Sequence, residues 1–338
     1  MREPPRLTEG AIRVTLQTQY GFSIAALEFL PLGCDSGSAV YRVQAADGAV
    51  YLLKTRAGSG FSESSLAVPW YLKSQGVPHI VAPLPTASQM LWITVDGFAL
   101  SLYPFIDGRA GADASLSEEQ WQAFGTVVKA IHSTRLPADL LAILPRETFT
   151  PSRRNLIPDL EAAIARSVFA NPQERELAAF WHSRRDEIRT LVDRADALGN
   201  RLRQASLPPV LCHADLHTWN VLVDTRQEFW LIDWDETVLA PRERDLMFVV
   251  GGIGADLVKP YEMACFSQGY GKARIDPSAL AYYRYAWAVQ DAAAYAERVF
   301  FTPDLSAESR QDAVNGFVDV FAPGSIASLA LASEYPEA

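Results

Sequence analysis

Two aspartates carry the chemistry for which this chain can be read. Asp215 stands in His213-Ala-Asp215-Leu-His217-Thr-Trp219-Asn220, and Asp233 in Trp230-Leu-Ile-Asp233-Trp-Asp235. A carboxylate, an amide shortly after it and a second carboxylate beyond a short β-rich stretch are the parts needed for magnesium-assisted transfer of a phosphoryl group to a hydroxyl. In that chemistry Asp215 accepts the hydroxyl proton, while Asn220 and Asp233 hold the metal that neutralises a triphosphate.

A third component precedes them. Lys54 closes the apolar run Val50-Tyr51-Leu52-Leu53, so a strand would deliver its ammonium to the end of a sheet, within reach of phosphate oxygens. A glutamate on a helix can fix such an ammonium. Glu63 is the single acid between Asp47 and Asp96, which makes it the local candidate.

The elements that must position these groups divide the chain in two. Up to about residue 103 the pattern is a short helix near Thr8–Tyr20 followed by strands. Leu27–Leu32 and Ala39–Ala45 flank a loop containing Gly33 and Gly37, and Asp47-Gly48 turns the chain into Val50–Lys54, a hairpin signature. Ser62–Gln75 reads as a helix stopped by Gly76-Val-Pro78, and Asp96-Gly97 links Met90–Val95 to Phe98–Tyr103. Beyond residue 108 helical periodicity takes over. Ser117-Glu-Glu-Gln120 forms a capping box, and Trp121, Phe124, Val128 and Ile131 recur along one face. Further helices are expected around 153–168, 172–203, 242–250, 260–269, 277–298 and 306–320. Val221–Val223 and Phe229–Ile232 form a small hairpin whose ends carry the two aspartates.

Composition narrows the class. The chain has 338 residues, which favours two lobes over one minimal core. Its net charge is −10, and all of the excess lies after residue 103, where 33 acids face 23 basic residues. Nucleic-acid binding needs a basic face and is disfavoured; an acidic half attracts a small cation. No apolar run is long enough to span a membrane, and the start Met1-Arg-Glu-Pro-Pro lacks a signal-peptide core. Cys34, Cys212 and Cys265 form no CxxC pair, in keeping with a reducing, cytoplasmic setting.

Taken together, Lys54, Glu63, His213–Asn220 and Ile232–Asp235 resemble the aminoglycoside phosphotransferase family. The stretches Leu211–His217, Ile232–Glu236 and Leu239–Phe248, with Gly269-Tyr-Gly271 and Tyr282-Tyr-Arg284, resemble its spectinomycin-modifying subgroup. The resemblance implies a bilobal, protein-kinase-like α+β fold. Residues 1–103 would be the nucleotide lobe, 104–108 a hinge and 109–338 the catalytic and substrate lobe. It implies Asp215 as base, Asn220 and Asp233 as magnesium ligands, and Lys54 on the α- and β-phosphates. Asp245 is implied to support the catalytic loop through backbone hydrogen bonds. Pro104 and Ile106 would meet the purine through a main-chain carbonyl and N–H. Nothing in their side chains separates ATP from GTP.

For the acceptor the resemblance implies a cationic aminocyclitol, spectinomycin. Asp235, Glu236 and Asp291, with Trp234, Trp287 and Tyr295, are the acids and aromatics available to bind its methylamino groups. Choline, homoserine, methylthioribose or another antibiotic are the competing acceptors. A remoter reading makes His213, Asp215 and His217 the ligands of a metal-dependent hydrolase. A P-loop is excluded, because GxxxxGK[ST] occurs nowhere.

Overall fold

The computed structural model describes residues 7–31, 37–57, 61–166, 168–254, 257–303 and 305–335. The glycine-containing loop expected between the first strands therefore lies outside the described residues, apart from Gly37, and so does Cys34. Two compact units emerge. One takes in Met1–Gln120, Val127–Leu144 and His217–Thr237; the other takes in Trp121–Thr126, Pro145–Leu216 and Val238–Ala338.

The first unit begins with helix α1 (Glu9–Tyr20), capped by the Thr8 hydroxyl and ended by Gly21 at φ +78°. Five antiparallel strands follow: β1 (Ile24–Leu30), β2 (Ser38–Ala45), β3 (Val50–Ala57), β4 (Ile93–Val95) and β5 (Phe98–Pro104), in the order β1-β2-β3-β5-β4. Both expected hairpins form. At the first, the Asp47 carboxylate accepts the Ala49 N–H at 3.0 Å and Gly48 takes φ +92°. At the second, Asp96 and Gly97 both have positive φ, the combination a two-residue turn needs to match the twist of its strands.

Strand β3 lies between β2 and β5, with Lys54 opposite Val40 on one side and Ser101 on the other. Leu53 joins Ile12, Leu16, Tyr41, Val43, Leu100 and Leu102 in a core under α1. Side chains alternate across a strand, so burying Leu53 directs Lys54 and Arg56 to the opposite face. Helix α2 (Ser64–Ser74) follows β3 and buries Leu66, Val68 and Leu72. A three-stranded ribbon completes the unit: β6 (Gly108–Ala110) pairs with Val221–Asp224, which pairs with Phe229–Leu231. Only the latter two strands are evident from sequence.

The second unit is mainly helical. Its longest helix, Pro277–Phe301, is capped by Asp276 and packs against Arg185–Leu202, Ala307–Val320 and Ile326–Leu331. Ala281, Ala288, Ala292, Ala293 and Ala296 are buried along it, small residues that let neighbouring helices approach closely. The segment expected as one helical region from residue 172 to 203 is two helices, Pro172–Ser183 and Arg185–Leu202, broken at Arg184. The capping box at Ser117 and Gln120 is present in the first unit and starts the helix Glu118–Ser133, of which Trp121–Thr126 belongs to the second. Val210–Cys212 pairs with Val238–Ala240 in a two-stranded ladder. Among the described residues no helix is long and apolar enough to cross a membrane.

The expected class is thus observed: an antiparallel sheet with its helices in the N-terminal part, and a predominantly helical remainder.

Candidate active site

Asp215 follows the ladder strand Val210–Cys212. The loop between them is locked from a distant point of the sequence: the buried Asp245 carboxylate accepts the His213 N–H at 3.0 Å and the Ala214 N–H at 2.6 Å. Ala214 has φ +69°, a left-handed conformation that costs a non-glycine residue on the order of 1 kcal/mol and persists only when its surroundings impose it. Two charge-assisted bonds from one carboxylate supply that constraint. The Asp215 N–H in turn donates to His213 Nδ1 at 3.3 Å. The backbone that presents Asp215 is therefore fixed, while its side chain stays half-buried. The supporting role expected of Asp245 is what this geometry displays.

In the first unit, Asn220 ends a short 3-10 turn, Thr218–Asn220, whose N–H donates to the His217 carbonyl at 2.9 Å. The ribbon then returns the chain, and the Ile232 N–H donates to the Asn220 carbonyl at 3.1 Å. That bond sets Asp233, at φ +62°, just past Asn220 on the facing chain. An amide oxygen and a carboxylate oxygen are hard donors of the kind magnesium prefers. The donor set fits the metal that the chemistry calls for.

Lys54 reaches the same turn. Its Nζ lies 2.9 Å from Asp233 Oδ1 and 2.6 Å from Asp235 Oδ2. Arg56 Nη2 bonds that same Asp235 oxygen. Burial opposes the charge of Lys54, but the carboxylates of Asp233 and Asp235 prevail and its pKa stands above the ordinary lysine value. Asp235 is shifted upward as well: burial and the like charge of Asp233 outweigh the stabilising Lys54 and Arg56. The Tyr103 phenol near Lys54 is pushed up to about 12, mainly by burial.

Three expectations are revised here. Glu63 does not fix Lys54: it occupies the position before α2, is exposed, and makes no ion pair among the described residues. The acids of the 232–236 turn take that place. Asp235, expected to meet the acceptor, has its carboxylate engaged by two cations instead. Trp234 is 3% exposed, too buried to offer a ring face to a ligand, and belongs to the packing beneath the turn.

The other candidates are placed as follows. Glu236 is exposed. Asp291 is half-buried on the helix Pro277–Phe301, one turn before Tyr295, and Trp287 on that helix is buried against Phe248 with the Arg244 guanidinium 5.1 Å from its ring. Pro104 ends β5 opposite Tyr51, and Ile106 lies in the extended segment beyond, both half-buried. His213 is fully buried with Nδ1 turned to the Asp215 backbone, and among the described residues His213, Asp215 and His217 do not converge as metal ligands. Nothing in this arrangement supports a hydrolase. Arg56 was missed by sequence reading, although its position two residues after Lys54 on one strand was a usable signal.

A loop-fixed aspartate, oxygen donors paired across a ribbon and a sheet lysine among carboxylates are parts that a kinase-like phosphotransferase uses. Comparison with known proteins agrees. Residues 29–311 match the model of the phosphotransferase enzyme family APH, and the chain belongs to that family. It is similar to the crystal structure of spectinomycin phosphotransferase APH(9)-Ia in complex with ADP and spectinomycin. That match has 29% identity and a TM-score of 0.87, and covers 97% of this chain and 99% of the other. The AMP-bound complex of the same enzyme matches with 30% identity and a TM-score of 0.83, over 97% and 99% of the two chains. Protein StrN of Streptomyces griseus is 25% identical over 301 residues, covering 86% of this chain and 84% of StrN.

Proposed function

We propose that this chain transfers the γ-phosphoryl group of ATP to a hydroxyl of spectinomycin. The observation that carries this reading is the near-complete match to a spectinomycin phosphotransferase holding ADP and spectinomycin. Asp215 takes up the proton of the attacking hydroxyl. Lys54 meets the phosphates, and the main chain of Pro104 and Ile106, in the hinge between a nucleotide lobe (1–103) and a catalytic lobe (109–338), meets the purine. Asn220 and Asp233 hold magnesium. Bound there, the ion supplies neutralisation of phosphate charge, and the remaining catalysis is positioning in a preorganised electrostatic environment.

Spectinomycin carries two basic methylamino groups, and Glu236 and Asp291 are the acids left to bind them. Phosphorylation adds negative charge and bulk to a cationic drug, so the cellular outcome is antibiotic resistance or self-protection of a producer, exercised in the cytoplasm where ATP is available. A coupled ADP-release assay with spectinomycin, streptomycin, hygromycin, kanamycin, choline and homoserine tests this reading. Spectinomycin should give the highest kcat/KM. Turnover confined to choline or homoserine would reject the aminocyclitol assignment.

A further inference from the structure

The reaction as described makes no use of Arg56, yet Arg56 is the second cation on the Lys54 face of β3. The pairs run as one chain: Arg56 to Asp235, Asp235 Oδ2 to Lys54 at 2.6 Å, Lys54 to Asp233 Oδ1 at 2.9 Å. One carboxylate oxygen is thus shared by a guanidinium and an ammonium. The side chains of Arg56, Lys54 and Asp235 are 14%, 19% and 21% exposed, so water does little to screen them.

With Glu63 exposed and without an ion pair among the described residues, Asp235 is the carboxylate seen on Lys54 that does not also serve as a metal ligand. That carboxylate lies on the same turn as Asp233 and shares the Lys54 ammonium with it. One cation shared by the half-buried Asp235 and the more exposed Asp233 leaves Lys54 divided between them. The guanidinium brings the group to two positive and two negative charges, and its charge-assisted bond to Asp235 Oδ2 holds that carboxylate beside Lys54.

We propose that Arg56 is a positioning residue: by clamping Asp235 it sets where the Lys54 ammonium stands, and so how tightly the site takes a magnesium nucleotide. The inference rests on the reading of Lys54 as the phosphate-contacting group. Arg56 touches neither acceptor nor reacting atoms in this account, so its effect is on nucleotide handling alone. It also works through Asp235, and this makes its loss non-additive with loss of that carboxylate.

The test uses the full chain with R56Q, R56K, D235N and the R56Q/D235N pair. Mg·ADP affinity is measured by titration calorimetry, the KM values for ATP and spectinomycin by ADP release, and the folded fraction by thermal unfolding. R56Q should weaken Mg·ADP by about ten- to a hundredfold, the range for losing a hydrogen bond to a charged group, and leave the acceptor KM within about twofold. R56K, which keeps the charge, should recover most of the loss. The double variant should bind no worse than D235N alone. A folded R56Q with wild-type affinity overturns the proposal. So does an additive double variant, or a loss spread equally over nucleotide and acceptor. If R56Q fails to fold, R56K and D235N decide: the proposal stands if R56K retains affinity and D235N loses it, and falls if D235N binds Mg·ADP as the wild type does. Wild-type protein that binds no Mg·ADP defeats the functional reading itself, whereas a wild type that binds normally beside an unaffected R56Q defeats only this inference.

Discussion

The Asp245 carboxylate accepts the Ala214 N–H at 2.6 Å while Ala214 sits at φ +69°, tying the backbone before Asp215 to a residue far along the chain. With the His213 N–H it satisfies two buried donors. Asp245→Ala leaves both without an acceptor, at about 1–3 kcal/mol for each unsatisfied buried group. Urea unfolding should show a destabilisation in that range, and turnover should fall with it. Asp245→Asn keeps one acceptor oxygen and should be milder in both measurements. An alanine variant with wild-type stability would contradict the role.

Glu63 and Lys54 separate in the structure, and this gives a contrast that is simple to measure. Glu63→Gln changes an exposed group without an ion pair and should alter nucleotide affinity by no more than about twofold, as for surface substitutions generally. Lys54→Gln removes the ammonium between Asp233 and Asp235 and should raise the KM for ATP by at least an order of magnitude, the scale of a lost charge-assisted contact. Equal effects from the two variants would restore Glu63 as the partner.

The candidate residues that the sequence offers are those whose signals are local. Asp215 and Asn220 share one short stretch, and the ribbon that carries Asp233 alternates and turns as a hairpin should. Asp245 was placed correctly by resemblance. The partners of Lys54 were not legible, because they arrive from 179 and 181 residues away, and no spacing rule brings a strand lysine to a turn so remote. Glu63 lies near Lys54 in sequence, and nearness in sequence is not contact. Gly108–Ala110 is too short for alternation to reveal a strand. The break at Arg184 has neither glycine nor proline to announce it, and the buried Leu177, Trp181, Ile188 and Leu191 keep helical spacing across it.

Asp233 and Asn220 are joined through the Ile232 N–H to Asn220 carbonyl bond, and this sets an expectation for metal dependence. Asp233→Ala should bind ADP with an affinity that no longer responds to magnesium, measured by titration with and without the ion. The wild type should bind more tightly by at least about an order of magnitude when magnesium is present, because the ion bridges the Asp233 carboxylate and the nucleotide phosphates. Retained magnesium dependence in the variant would remove Asp233 from the ligand set.

Cys212 is fully buried, and burial first, then the negative charge of Asp245, pushes its thiol well above the ordinary value. A thiol-reactive reagent at pH 8 followed by peptide mapping should label Cys265 well before Cys212, which should react only on unfolding. The sign for stability follows. The native state holds the proton more tightly than the unfolded chain, so this group's contribution is complete below the unfolded thiol pKa of about 8.5 and is lost as pH rises beyond it. Cys212→Ala should flatten that part of the alkaline stability profile. Early labelling of Cys212 in native protein would contradict the burial.

The claim on which the rest depends is that Asp215 assists transfer of one phosphoryl group to spectinomycin. Mass spectrometry of spectinomycin after incubation with Mg·ATP and either wild-type protein or Asp215→Asn tests it directly. The account expects a single added phosphoryl group with the wild type, and a rate about 10²–10⁴ lower in the variant at similar ADP affinity, the usual worth of a positioned proton acceptor. Unmodified spectinomycin with the wild type, or equal rates for the two proteins, would contradict it.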